Sequence, residues 1–234
     1  MPALRRLPAR RSLAAARHWI GGAALLAALA AGPASAAAPA WHPLHAGDLE
    51  VTEGALAPAG TAALRTDSPK LRAVHRDGGR HATRALLVFR GHGDSTTVEP
   101  LGSGAIRRQI GLKLRATDPC NLLYVMWRSV PEHAVVVSVK RNPGQTTSAQ
   151  CGNRGYTDLA TIPLAGRSAS DQAAHRLDVR SRRTAGGTML VSLRLDGGRA
   201  RGLAVPAALA SGLAGPVGVR SDNGTYTFRL AAGR

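Results

Sequence analysis

Three short segments of this 234-residue chain carry cations or other polar residues in alternation with apolar ones. Lys113 and Arg115 alternate with leucines in Ile110 to Arg115. Tyr124 and Arg128 lie in Leu122 to Arg128, and Ser138 and Lys140 in Ala134 to Lys140. Side chains of a β-strand point to opposite faces in turn. If the three strands are neighbours in one register, Lys113, Arg115, Tyr124, Arg128 and Lys140 share a face and form a cationic patch with one aromatic ring. The chemistry of such a patch is recognition of anions. The arginine fork fits carboxylate and sulfate groups, and a tyrosine ring offers a stacking surface. The competing reading is that these residues are only the solvent sides of amphipathic strands. Trp127 alternates with Leu123 and Val125 and is assigned to the core.

Other reactive residue types show less order. Histidines 75, 81, 92, 133 and 175 fall in separate segments, with no metal-ligand spacing; they read as surface or loop residues. Asp222 and Asn223, or Asp94 with nearby carbonyls, offer oxygens to a structural calcium ion, but no cluster of acids accompanies them. No cofactor is expected otherwise. Asp94, Asp118, Asp196 and Asp222 sit where aspartate serves turns, and the Asn-Gly-Thr sequence at Asn223 reads as a turn as well.

The elements that position these residues follow from the rest of the chain. Residues 1–36 read as an export signal. Five arginines come first, then an apolar run from Ile20 to Ala31, then Gly32-Pro33 and a small-residue cleavage site at Ala34-Ser35-Ala36. The run is near half the roughly 20 residues a spanning helix needs, so the mature chain is expected to be exported, periplasmic or secreted, with no membrane span. The full chain has 31 lysines and arginines against 14 acids and a formal charge of +17, which falls to +12 once the five signal arginines are gone. Only three of the basic residues are lysines, a skew that reflects GC-rich coding as much as selection. The surplus still draws anions toward the surface. Outside the cytosol those are acidic polysaccharides and envelope polymers; with no long basic run, nucleic acid is not the expected partner. The two cysteines, Cys120 and Cys151, are expected to form a disulfide in an oxidising compartment. The loop they close has about 30 residues, worth roughly 3–4 kcal/mol in the chain-entropy model.

Residues 37–63 are an Ala/Pro-rich lead-in with one short strand at Asp48 to Thr52. From 64 to 234, short apolar alternations separated by Gly, Asn, Asp and Pro predict an all-β sandwich. The clearest strands are Ala85 to Arg90, Ile110 to Arg115, Leu122 to Arg128 and Ala134 to Lys140. Arg176 to Arg182 and Met189 to Leu195 make a hairpin across Ala185-Gly186-Gly187. Pro206 to Leu213 predicts one short helix. Two last segments, Val217 to Gly224 and Tyr226 to Leu230, close the chain.

Leu193-Arg194-Leu195-Asp196-Gly197 ends a hairpin strand in a Leu-x-Asp-Gly turn, and Gly215-Pro216-Val217-Gly218-Val219-Arg220-Ser221 forms a near-terminal strand. In this order, followed by an alternating last strand, they resemble the concanavalin A-like lectin/glucanase superfamily, in its laminin-G-like and secreted bacterial branches. The resemblance covers about residues 170–231. It implies a two-sheet antiparallel jelly roll with one concave face; a different β-sandwich is the structural alternative. Glycosidases of that superfamily carry a Glu-x-Asp-x-x-Glu strand, because retaining cleavage needs two carboxyls about 5–5.5 Å apart. That strand is missing. Glu50 and Glu53 lie in the lead-in, and Glu99 and Glu132 stand beside prolines in predicted turns. The basic strand motif of alginate-lyase jelly rolls is not matched either: Arg107-Arg108-Gln109-Ile110 lacks a following histidine. The expected function is therefore a non-catalytic binding or structural domain whose partner is an anionic glycan or another envelope component. A polysaccharide-active hydrolase or lyase, and an interaction domain for an envelope protein, are the alternatives.

Overall fold

A computed structural model describes residues 40–77 and 82–233. The predicted export signal, residues 37–39, residues 78–81, His81 among them, and residue 234 lie outside them. No helix among the described residues is long and apolar enough to cross a membrane.

Among the described residues thirteen strands build the domain: β1 His42–Leu44, β2 Leu49–Glu53, β3 Ala57–Pro58, β4 Leu64–His75, β5 Arg84–Asp94, β6 Arg108–Asp118, β7 Asn121–Val130, β8 Ala134–Lys140, β9 Tyr156–Pro163, β10 Ala174–Arg183, β11 Met189–Leu195, β12 Arg201–Val205 and β13 Gly215–Gly233. All pairings are antiparallel. The strands form two layers joined by two long ones. β13 pairs with β6 through Gly215–Asp222 and with β5 through Gly224–Gly233, while β4 follows it along both halves. One layer runs β2, β4, β13, β6, β7, β8, β9; the other runs β12, β11, β10, β5, β13, with the first half of β4 and β1 alongside. The protein is thus an antiparallel jelly roll.

The passage between layers occurs where Pro69 faces Asn223. Proline has no amide to donate, and Asn223 adopts φ 51°, a left-handed conformation that asparagine tolerates better than most residues. The sequence read Asp222-Asn223-Gly224 as a turn between two strands. The same residues instead make a bulge inside one 19-residue strand.

Alternation fills the space between the layers. Ile110, Leu112 and Leu114 of β6, Leu123, Val125 and Trp127 of β7, and Val135, Val137 and Val139 of β8 meet Leu87 and Phe89 of β5, Leu177 and Val179 of β10, and Tyr226, Phe228 and Leu230 of β13. Trp127 is fully buried, as its alternation predicts, and its Nε1 donates to the Ser168 carbonyl at 2.9 Å. His175 departs from its surface assignment. It is 1% exposed, packs 5.0 Å from the Trp127 ring and is held between Asp196 and the Ser170 carbonyl. The lead-in contributes three short strands where one was expected. The predicted helix is a single turn, Ala207–Ala210.

Cys120 and Cys151 form the expected disulfide. It ties the two-residue turn between β6 and β7 to a one-turn helix, Ser148–Cys151, in the connection from β8 to β9.

Candidate functional site

The outer face of the layer containing β6, β7 and β8 is not a solvated surface. Gln109, Lys113, Tyr124, Arg128, Ser138, Lys140 and Arg220 project from it, yet none is more than 8% exposed. Two connections cover the face. The loop between β5 and β6 is fastened to the β13 bulge by Asn223, which donates to the carbonyls of Glu99 and Arg107 and accepts from the Glu99 amide. Lys70 adds an ion pair to Glu99 at 2.9 Å. The connection from β8 to β9 is held by the disulfide and by Lys140, whose Nζ donates to the Gly152 carbonyl at 2.7 Å. The two connections meet at Gly102 and Asn153, where a Cβ on the glycine would fall 1.8 Å from the asparagine Nδ2. Beneath them lies a groove of about 570 Å³, lined among the described residues by seven lysines and arginines and two acids, Glu53 and Asp158.

The ladder sets the order of side chains on the groove floor. Tyr124 stands opposite Lys113 on one side and Ser138 on the other, and Ser138 faces Asp158. Gln109 stands opposite Arg128. On its other flank Lys113 faces Gly218, so its direct partner on β13 brings no side chain against it. Gly218 is itself required there, because a Cβ would sit 2.2 Å from the Ala73 carbonyl oxygen.

Four of the five sequence-predicted site residues, Lys113, Tyr124, Arg128 and Lys140, come together in this groove. Arg115 does not. The pairing of β6 with β7 shifts after Leu114, and Arg115 takes φ 51°. Its guanidinium turns to the opposite layer and donates to the Ser181 side chain and carbonyl, each at 3.2 Å. The bulge breaks the alternation on which its assignment rested.

The sequence did not reveal the group that organises the groove. Asp222, assigned to a turn, is fully buried and accepts from three side chains: Arg72 at 2.6 Å, Gln109 at 2.6 Å and Arg220 at 2.9 Å. Burial raises its pKa, but Arg220 and Arg72 outweigh burial and hold the carboxyl below its ordinary value. Gln109 in turn accepts from Arg128 at 3.3 Å, and Arg128 pairs with Glu132 at 3.1 Å. Arg220 lies 5.0 Å over the Tyr124 ring and donates to the Tyr156 hydroxyl at 3.2 Å. Tyr156 stacks on Tyr124 with ring centroids 6.0 Å apart, and Lys140 lies 5.3 Å from the Tyr156 ring. Burial opposes ionisation of the Tyr156 phenol, but Arg220 and Lys140 outweigh it and hold the phenol below its ordinary value.

Lys113 stands apart within this network. It is 4% exposed, and among the described residues its ammonium has no hydrogen bond or ion pair. Burial, then Arg72 and Arg220, bring its pKa down to about 7. A buried amine that exists in both protonation states near neutrality is costly to keep and belongs to the groups found at reactive sites.

The calcium assignment finds its oxygens in use. Asp222 serves three cationic or amide donors, Asn223 holds the β5–β6 loop, and Asp94 pairs with Arg108 at 2.6 Å. Among the described residues, no three His, Cys, Asp or Glu side chains converge on a point. The buried Asn223, 1% exposed, sits within a strand and not in a surface turn.

No protein-family profile and no curated protein sequence matches this chain. Solved structures do. A mutant of the GH43 protein BlXynB from Bacillus licheniformis superposes with a TM-score of 0.52 at 11% identity, over 82% of this chain and 38% of that one. The carbohydrate recognition domain of Emp46p gives 0.48 at 8% identity over 79% and 86%. A Bauhinia forficata lectin solved with GalNAc gives 0.47 at 8% identity over 83% and 98%. This chain thus spans less than half the length of the BlXynB chain. The likeness is one of fold: two antiparallel layers in a jelly roll.

Proposed function

We propose that the groove binds an anionic glycan. The observation that carries this reading is the make-up of the groove lining: seven cations, four of them buried, to two acids around a stacked tyrosine pair. Burying cations is costly unless they are paired; Asp222 serves Arg72 and Arg220, Glu99 serves Lys70 and Glu132 serves Arg128, which leaves Arg107, Lys113 and Lys140 with no carboxylate partner among the described residues. A ligand carrying carboxylate or sulfate groups supplies the missing charge, and the ring of Tyr156, 40% exposed, stacks on a sugar. The partner is then an acidic polysaccharide met outside the cytosol, as the arginine-led apolar segment at the N-terminus implies for an exported protein.

The test is a panel of neutral, uronate and sulfated oligosaccharides presented to the oxidised protein at low and high salt. The reading expects binding to one anionic class that persists at high salt, with neutral sugars unbound. Uniform binding to every anion, lost as salt screens it, overturns it.

A further inference from the structure

We propose that Lys113 is a carbon dioxide site: its amine takes up the gas as a carbamate, and the cations around it hold the anion that forms. The modification does not require a sugar in the groove.

Placement carries it. Lys113 is deeply buried in the groove lining, and no carboxylate, carbonyl or hydroxyl among the described residues receives its protons. Arg128, Lys140 and Arg220, buried on the same face, each donate to a fixed acceptor. The charged and titratable groups that face Lys113 come from five strands. Arg72 on β4, Arg220 on β13 and Lys140 on β8 carry like charge; Glu53 on β2, half exposed, carries the opposite one; Tyr124 stands across from it on β7. On its own strand the Arg115 guanidinium turns to the opposite layer. A protonated Lys113 is therefore a cation among cations. An anion at the same place meets those neighbours as opposite charges.

Donors for that anion are at hand. Arg220 gives its Nε to Asp222 and its Nη1 to Tyr156, which leaves Nη2 without a hydrogen bond among the described residues. Lys140 gives one of its three protons to the Gly152 carbonyl. A carbamate has the planar oxygens of a carboxylate, the group that charged N–H donors hold most strongly.

Reactivity agrees with placement. Only a neutral amine attacks carbon dioxide. Free lysine at pH 7 is neutral in roughly one molecule in 3,000. Burial and the neighbouring arginines bring the Lys113 pKa down to about 7, so about half of it is neutral there. The step balances without oxidant, reductant or metal. The nitrogen lone pair forms a bond to carbon, one C=O electron pair moves onto oxygen, and the nitrogen gives a proton to solvent. The adduct adds three heavy atoms, for which a groove of about 570 Å³ has room. The connections over the groove leave Lys113 4% exposed, which suits a reagent this small and uncharged.

The exchange changes the groove. Seven cations and two acids in its lining become six cations and three anions. Carbon dioxide then weakens the binding of an anionic glycan, a consequence that rests on the reading of the groove proposed above.

The experiment equilibrates the purified oxidised chain, carrying isotope-labelled lysine nitrogen, with carbon-labelled carbon dioxide near neutral pH and records carbon NMR. The expected result is one carbamate resonance split by the lysine nitrogen, which separates it from an adduct on the α-amine. The chain has only three lysines, Lys70, Lys113 and Lys140, so assignment is direct: Lys113→Met removes the resonance and Lys70→Met keeps it. Occupancy exceeds that of free Nα-acetyl-lysine under the same gas at least about 100-fold, and rises with pH at constant pressure. Alkylation of the carbamate oxygen followed by peptide mass mapping places the adduct on Lys113 in the native chain, whether or not the variant folds. No lysine-coupled resonance under saturating carbon dioxide, or an adduct on Lys70 or Lys140 alone, overturns the site. The anionic oligosaccharide that the panel selects is then titrated with and without carbon dioxide. The gas weakens its binding to the native chain several-fold and leaves Lys113→Met unchanged; equal affinities in the native chain overturn the competition. A panel that yields no ligand overturns the glycan reading, and the competition with it, while the carbamate resonance still decides the site.

Discussion

The two outer faces of this sandwich use arginine in opposite ways. On the layer of β10, β11 and β5, Arg90, Arg176, Arg180, Arg182, Arg194 and Arg229 all point outward and are exposed. Only Asp178 alternates among them, paired with Arg84 at 3.5 Å. These charges reach water freely and are screened within about 10 Å at ordinary ionic strength. On the layer of β6, β7 and β13, Arg128 and Arg220 are buried, held by Asp222, Gln109, Glu132 and Tyr156, and line a groove with the buried Lys113. Both faces are rich in arginine; depth and fixed partners differ. A general excess of arginine explains the first face. The second needs an account of why so much charge is kept out of water.

The contrast is sharpest at Asp222. Replacing it with alanine leaves Arg220 and Arg72 buried without their carboxylate, and breaking such a pair costs about 3–5 kcal/mol. Chemical denaturation of Asp222→Ala against the native chain measures this, and Asp178→Ala on the opposite face is expected to cost far less. Equal losses would mean that the groove network has no special weight.

Next in size is the effect of pH on Lys113. Its folded pKa, about 7, lies below the ordinary 10.5. Between these values the unfolded chain binds more protons than the folded one, so this group makes stability rise with pH over that window. Below about 7 the folded protein must carry the buried charge. Lys113→Met is therefore expected to stabilise the protein most below pH 7 and to lose that advantage as pH passes 10.5. A stability difference that does not change with pH would show that the amine is not held as described.

Much of this was legible in the sequence. β8 and β11 carry their predicted limits, because strict alternation between turn residues leaves no other register. The row through Lys113, Tyr124 and Ser138 followed from three such strands. Two kinds of information were hidden. The bulges at Arg115 and Asn223 reverse side-chain direction without any sign in the apolar pattern. β9, which supplies Tyr156 and Asp158, pairs with β8 alone and is largely exposed, so its alternation is faint. The cover over the groove was hidden for a different reason. It is made by loop contacts such as Gly102 with Asn153, far apart in the chain, and those contacts turn a solvated strand face into a buried one.

The central claim is that the buried cations, and not the exposed ones, recognise the ligand. Calorimetric titration of the anionic oligosaccharide that the panel selects into the native chain, Arg128→Ala and Arg194→Ala, at low and high salt, tests it most directly. The account predicts that Arg128→Ala weakens binding roughly tenfold or more at both salts, the loss of a charge-assisted hydrogen bond, while Arg194→Ala matches the native chain. Equal weakening by both variants, with all binding lost at high salt, would contradict it.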